Sequence, residues 1–285
     1  FEGSPLVDGS DVYVAMRKSD VRPQAHVACF DAVTRRLRWR TMICASETPG
    51  GGQTGEMTHN LLTLAEGMLY YNTNLGAVAA LSARDGRVQW ASIYPRAGKT
   101  NAEGQDRRAA HFYRDLNPCV YYRGMLLVAP ADCELVLALD AATGETIWES
   151  SLPEDAVHLL GVGQGNLLAS GDSLWWIDAR SGKVLKRWPD TTPLGYGRGV
   201  LMGDDVIWPT RDALYVLDQR ASARDDAPRE PISFGQQRPA TGGNLVAAGG
   251  VLLIATGERL YGFVSSAPAA ASADRSTRSG AAPRQ

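Results

Sequence analysis

Chemistry in this chain would have to come from two irregular segments. The first, Thr48-Pro49-Gly50-Gly51-Gly52-Gln53-Thr54-Gly55-Glu56-Met57, leads into Thr58-His59-Asn60. Glycine-rich backbone can cradle an anion, but this run lacks the Gly-Lys-Ser/Thr ending of a phosphate loop. A plain surface loop is the competing reading. The second segment, 95–115, gathers Arg96, Lys99, Arg107, Arg108, His111, Tyr113, Arg114 and Asp115, with Asn117 just beyond. Guanidinium groups with an aromatic ring and an imidazole suit a carboxylate ligand, a sugar or a peptide. The alternative is a solvated loop locked by internal salt bridges. The ligand-face candidates are therefore Glu56, His59, Asn60, Arg107, Arg108, His111, Tyr113, Arg114 and Asn117.

The histidines are His26, His59, His111 and His158. Neutral imidazole suits zinc or iron, and Glu56 with His59 and His111 would make a facial set. Their spacing matches no standard metal motif, and histidines at strand ends commonly serve backbone groups. No metal is expected. No Gly-x-Ser-x-Gly or other nucleophile signature is present, so no catalytic residue is assigned. Cys29, Cys44, Cys119 and Cys133 allow three pairings, which spacing cannot choose among. Their ordinary reading is as small buried apolar residues.

The elements that position these segments come from an internal repeat. Its clearest copy is Val136-Leu137-Ala138-Leu139-Asp140-Ala141-Ala142-Thr143-Gly144-Glu145-Thr146-Ile147-Trp148. Copies run from Val78 to Trp90 and from Val27, through Asp31, to Trp39. In all three the Asp or Ser precedes the Trp by eight residues. A fourth, Leu174-Trp175-Trp176-Ile177-Asp178-Ala179-Arg180-Ser181-Gly182, has its Trp188 two residues late. A shift of two keeps that ring on the same strand face. A fifth, Leu214–Asp218, dissolves into an Asp/Arg/Pro-rich stretch, and a sixth keeps only Leu260-Tyr261-Gly262-Phe263.

Each copy reads as an apolar strand buried on both faces, a turn capped by Asp and opened by Gly, and a strand returning with Trp. A further strand, with a glycine shortly before it, stands upstream of every copy: 12–15, 68–71, 125–128, 167–169, 206–208 and 251–255. Short apolar runs precede those, such as 61–64, 119–122 and 245–248. Four short strands over about 40 residues is the period of a propeller blade. A solenoid or sandwich would not need a bulky ring at one phase of each unit. Trp39, Trp90, Trp148 and Trp188 are thus packing wedges, whereas Trp175, Trp176 and Trp208 fall out of phase and are weaker candidates for a stacking surface.

The predicted blades are 4–41, 59–94, 116–152, 157–189, 197–235 and 242–264, the last without a fourth strand. The up-and-down path places the insertions 42–58 and 95–115, and the hairpin loops 17–26 and 129–134, on one end. Residues 1–264 form the propeller. Residues 265–285, rich in Ala, Ser, Arg and Pro, read as a disordered tail or linker. The start at Phe1 inside strand-like sequence reads as a cut through a longer polypeptide, with attached domains possible in the parent.

Composition narrows the partners. The chain has 285 residues, 44% of them apolar, with Lys plus Arg at 29 against Asp plus Glu at 31. A formal charge of −2 offers nothing to nucleic acid or an anionic membrane. No apolar stretch nears the ~20 residues of a membrane-spanning helix.

The Ala-Leu-Asp-Ala-x-Thr-Gly-Glu-x-x-Trp pattern of 138–148 resembles the repeat of pyrroloquinoline-quinone-like (PQQ-like) propellers. That family includes quinoprotein alcohol dehydrogenases and the outer-membrane β-barrel assembly lipoprotein, which binds no quinone. The resemblance implies an all-β propeller of four-stranded blades, six present, in a seven- or eight-bladed ring. It also implies a periplasmic, secreted or other cell-envelope location. The dehydrogenases use a vicinal disulfide beside the quinone, a calcium and a catalytic aspartate. This chain has no adjacent cysteines, no calcium-loop spacing and no haem-attachment motif. The expected function is a non-catalytic scaffold, free of cofactor, binding a protein partner or small ligand on its insertion-rich end. The alternatives are a quinoprotein-like oxidoreductase domain using PQQ with calcium, and a carbohydrate- or surface-binding module.

Overall fold

A computed structural model describes residues 3–19, 22–46, 61–96, 117–151, 156–221, 229–235 and 240–264. These residues form six antiparallel sheets, each with its strands paired in chain order. Blade one holds β1 (Leu6–Asp8), β2 (Asp11–Ser19), β3 (Pro23–Asp31) and β4 (Leu37–Ala45). Blade two holds β5 (Leu62–Ala65), β6 (Met68–Asn72), β7 (Ala77–Ser82) and β8 (Val88–Ile93). Blade three holds β9 (Val120–Tyr122), β10 (Met125–Val128), β11 (Leu135–Asp140) and β12 (Thr146–Ser151). Blade four holds β13 (Ala156–Gly163), β14 (Asn166–Gly171), β15 (Leu174–Asp178) and β16 (Val184–Trp188). Blade five holds β17 (Val200–Met202), β18 (Asp205–Pro209), β19 (Ala213–Asp218) and the two-residue β20 (Ile232–Ser233). Blade six has three strands among the described residues: β21 (Asn244–Ala248), β22 (Val251–Ala255) and β23 (Leu260–Val264). The protein is an all-β propeller of about six blades. No helix among the described residues is long and apolar enough to cross a membrane.

The repeat turn forms for local reasons. Asp140 Oδ1 accepts the amides of Ala142 and Thr143, both at 2.9 Å, and Asp31 and Asp178 do the same in their own turns. Gly144, at φ +76°, then donates its amide to the Asp140 carbonyl at 2.8 Å. A β-bulge lies in blades one to four, always between the second and the first residue before the Asp or Ser: Cys29/Phe30, Ala80/Leu81, Ala138/Leu139 and Trp176/Ile177. It sets the returning strand in the register that aims the tryptophan at the next blade.

The core is divided among the junctions. Tyr13, Ala15, Val27 and Cys29 of blade one meet Leu69, Tyr71, Ala79 and Leu81 of blade two, and four similar clusters join the later neighbours. Each tryptophan wedge lands on the next blade's turn. A Cβ on Gly144 would lie 2.5 Å from the Trp90 ring, and one on Gly182 would lie 2.5 Å from Trp148. Gly86 is covered by Trp39 in the same way. The indoles of Trp90 and Trp148 donate to the carbonyls of Ala141 (3.0 Å) and Ala179 (3.1 Å).

Three expectations need correction. Residues 17–26 are not a long loop: β2 and β3 stay paired from Asp11↔Asp31 out to Ser19↔Pro23. Arg17, Lys18 and Gln24 masked the strand because sheet hydrogen bonding does not require apolar side chains. Trp175, Trp176 and Trp208 offer no stacking surface, being buried in the junctions of blade four with its neighbours. Trp188 faces blade five as anticipated, with ring centroids 5.5 Å from Trp208 and 5.2 Å from Tyr215. The wedge position proper belongs to Lys186, however, and Trp176 supplies the indole from the adjacent strand.

Candidate functional site at the insertion end

Of the insertions expected at 42–58 and 95–115, residues 42–45 continue β4 and are not loop, while 47–60 and 97–116 lie outside the described residues. So do Glu56, His59, Asn60, Arg107, Arg108, His111, Tyr113 and Arg114. Their roots are described, and those roots are tied together.

Ser46 follows β4 and ends the described chain before the first insertion. Tyr94, Pro95 and Arg96 follow β8 and lead into the second. Arg96 reaches both ways: Nε donates to Asp132 Oδ2 at 2.8 Å and Nη1 donates to Ser46 Oγ at 3.0 Å. Asp132, on the β10–β11 loop, is the one buried acid among the described residues. Its other oxygen accepts the Tyr94 hydroxyl at 2.6 Å, and that hydroxyl accepts the Gly76 amide at 3.2 Å. The neighbouring carboxylate and burial hold the Tyr94 phenol well above its ordinary range, burial being the larger cause.

Asn74, at φ +49° on the β6–β7 loop, extends the network. Its carbonyl oxygen accepts the Ala131 amide at 2.9 Å and the Asn72 side chain at 3.2 Å. Arg17 donates to the Thr73 carbonyl at 3.4 Å. Loops from blades one, two and three are thereby joined by buried polar contacts. In a low-dielectric setting each of these bonds is strong, and each would be expensive to leave unmade.

Asn117, expected on the ligand face, is 3% exposed. Its amide donates to the Val157 carbonyl at 3.0 Å, and its oxygen accepts the Leu159 amide at 2.9 Å. It clamps the end of the second insertion to β13. His26 is buried, with Nε2 3.0 Å from Gln24 Oε1. Burial first, then Arg40 and Lys18, push its pKa down, so it serves as a neutral strand residue. The four cysteines are free thiols. Burial raises Cys119 to about 12 and Cys29 to about 11, which makes both unreactive.

A crevice of about 70 Å³ between blades two and three is lined by Val78, Ser92, Tyr94, Pro95, Leu137 and Glu149 among others. Small-molecule sites commonly need ~300–1,000 Å³. No three His, Cys, Asp or Glu side chains among the described residues converge on a metal position, and Asp132 is already saturated by Arg96 and Tyr94.

Sequence reasoning named the insertions and missed the network that anchors them. Asp132, Tyr94 and Asn74 carry no motif. The signal that was available was a lone acid in the apolar surroundings Ala129-Pro130-Ala131-Asp132-Cys133, within reach of an Arg that follows a blade.

Comparison with known proteins places the fold. Among curated proteins nothing matches. BamB from Moraxella catarrhalis is similar at 14% identity, with 86% of this chain and 78% of that one covered and a TM-score of 0.46. The computationally designed Ika8 protein is similar at 10% identity and TM-score 0.56, covering 88% and 66%. The quinohemoprotein alcohol dehydrogenase ADHIIG from Pseudomonas putida HK5 aligns at 14% identity and TM-score 0.56, covering 89% of this chain and 50% of that one. The chain thus spans half the length of that dehydrogenase. The sequence model of the family described as outer membrane protein assembly factor BamB matches residues 1–116 and 100–262. With nearly the whole blade array inside that match, the chain belongs to the BamB family of PQQ-like repeat propellers.

Proposed function

We propose that this chain is a non-catalytic propeller scaffold of the cell envelope that docks a protein partner on its insertion end. The observation that carries the reading is the Ser46–Arg96–Asp132–Tyr94 network. It fixes the roots of both insertions to one another across three blades. Rigid roots hold two loops in one mutual position, which lowers the ordering cost of binding a large surface. Glu56, His59, Asn60, Arg107, Arg108, His111, Tyr113 and Arg114 are the proposed contact residues. Membership of an assembly-factor family supports the envelope location and the scaffold role.

Site-directed photo-crosslinking tests this. A crosslinker at Ile93, 89% exposed beside the second insertion, should capture a discrete protein from envelope fractions of the native host. A crosslinker at Val33, 80% exposed on the opposite end, should not. Replacing 97–114 by a Gly/Ser linker should reduce the Ile93 product at least tenfold. Equal capture from both ends would overturn the reading, as would dye-linked alcohol oxidation on adding PQQ and calcium.

A further inference from the structure

Blade one reaches further than its neighbours. Its β2, β3 and β4 run to nine residues each and carry polar residues past the blade proper at the insertion end. On that extension Arg17 stands opposite Ala25, and Ala25 stands opposite Cys44. Cross-strand partners share a face. This face is turned to blade two, since Ala25 belongs to the core cluster that holds Leu69 and Tyr71. Ala25 is small and fully buried, so the two longer side chains flank it.

Three arginines among the described residues are half-buried: Arg17, Arg96 and Arg198. Arg96 has the Asp132 carboxylate at 2.8 Å, and Arg198 donates to the Leu159 carbonyl at 2.9 Å. Among the described residues Arg17 has only the Thr73 carbonyl at 3.4 Å, and its buried Nε has no hydrogen-bond partner. A half-buried guanidinium without a counter-ion is costly, and an anion would complete it. The surroundings already lean positive. Burial pushes the Cys44 thiol up, whereas its bond with Thr73 and the charges of Arg17 and Arg96 pull it back. Asp132 is the opposing acid, and Tyr94 and Arg96 already hold its two oxygens. Two cations against one acid leave a single positive charge, which a monoanion balances.

We propose that the Arg17–Ala25–Cys44 row is a carboxylate-binding site with the Arg17 guanidinium as its principal donor. A carboxylate matches the planar fork of a guanidinium and carries the one negative charge that the surroundings lack. A phosphate dianion would bring two charges to one spare cation. The carboxylate has two conceivable sources: a free small acid, or an acidic side chain of the partner docked on the insertion end. The second source rests on the scaffold function proposed above; the site itself does not.

Cys44 is the reporter, because it is half-buried and the other three thiols are buried. The 285-residue chain is alkylated with iodoacetate and, separately, with the neutral iodoacetamide. In both reactions the sulfur displaces iodide and the thiol proton goes to solvent. Iodoacetate should modify Cys44 about tenfold faster than iodoacetamide, and saturably, because the guanidinium seats its carboxylate. Sodium acetate should slow that reaction where sodium chloride of equal ionic strength does not. Arg17→Gln should abolish the preference, and the ratio of the two rates cancels the change in thiol acidity that loss of the cation brings. A ratio at or below one, a rate linear in iodoacetate, indifference to acetate, or a preference kept in Arg17→Gln would each overturn the proposal. If Arg17→Gln fails to fold by circular dichroism, acetate competition in the parent chain decides. The Ile93 crosslink then assigns the source. About tenfold less product in Arg17→Gln puts the acid on the partner, and an unchanged yield puts a free acid in the site. Absence of any crosslinked product in the parent chain overturns the scaffold function and leaves the alkylation result standing.

Discussion

The two ends of this propeller are built on opposite plans. At the turn end, the same short device recurs: an Asp or Ser, a tight turn, a glycine at positive φ, and a bulge. Its own hydrogen bonds span two to five residues, and the neighbouring blade covers it in the same way each time, with an indole over the glycine and, at Gly86 and Gly144, a hydroxyl donating to the glycine carbonyl. At the insertion end, Ser46, Asn74, Arg96 and Asp132 come from three blades, and their bonds span 36 to 57 residues of chain. Among the described residues no other blade repeats the Ser46–Arg96–Asp132–Tyr94 bonds. The contrast separates what holds a blade together from what makes one group of blades different from the rest. Repetition marks the scaffold, and the singular network marks the place where a partner would be met.

Three experiments would break or sharpen this contrast. The largest effect is expected at the insertion end. Arg96→Met leaves the buried Asp132 carboxylate without its cation, and such losses cost about 3–5 kcal/mol. Because the Tyr94 hydroxyl still serves the carboxylate, the lower figure is expected from urea unfolding. A loss below ~1 kcal/mol, the range of a surface pair, would mean the network is not a structural anchor.

The second experiment compares two turn glycines of blade three. Gly124 (φ +79°) has nothing within 4 Å of an added Cβ, whereas Gly144 (φ +76°) lies under Trp90. Gly124→Ala should cost only the left-handed backbone penalty, about 1–2 kcal/mol. Gly144→Ala should add about 1–3 kcal/mol of overpacking. Equal costs would show that the indole contact carries no weight.

The smallest effect is on pH dependence, and it has opposite signs at the two ends. Hydrogen bonds from the turn hold Asp31, Asp140, Asp178 and Asp218 below the ordinary carboxylate range. The Thr34 and Thr143 amides lead for the first two, the Ser181 hydroxyl and Arg220 for the others. A depressed carboxylate pKa contributes stability above the unfolded value, ~3.9, that is lost as pH falls through the folded values. Tyr94 is raised, so its contribution is present below the unfolded value, ~10, and is lost as pH rises above it. Thermal melts from pH 2 to 11 should therefore fall off on both sides. Asp140→Asn should blunt the acid limb and Tyr94→Phe the alkaline one. Limbs unchanged in both variants would refute the assignment.

Much of the fold was legible because blade structure is local. The spacing from Asp140 to Trp148 encodes a turn, a bulge and a wedge within nine residues, and it recurs often enough to be recognised with imperfections. The second and third strands of blade one were also legible, but their extensions through Arg17–Ser19 and Pro23–His26 were not. Polar side chains hid a hairpin that the backbone pairs regardless. Asn117 was placed on the correct insertion and given the wrong surroundings. Whether an amide faces solvent or clamps β13 depends on a blade 40 residues away.

The sequence by itself determined the six blade units in this chain, the strand order within each and the phase of Trp39, Trp90 and Trp148. Those features follow from hydrophobic period and turn chemistry, which act between near neighbours in the chain. Only the tertiary structure decided that Trp176 replaces the in-phase indole in blade four. It alone decided that Arg96 and Asp132 bind the insertion roots. Each of these depends on which residue fills a volume shared by separate blades, and packing settles such volumes only after the chain has closed around them.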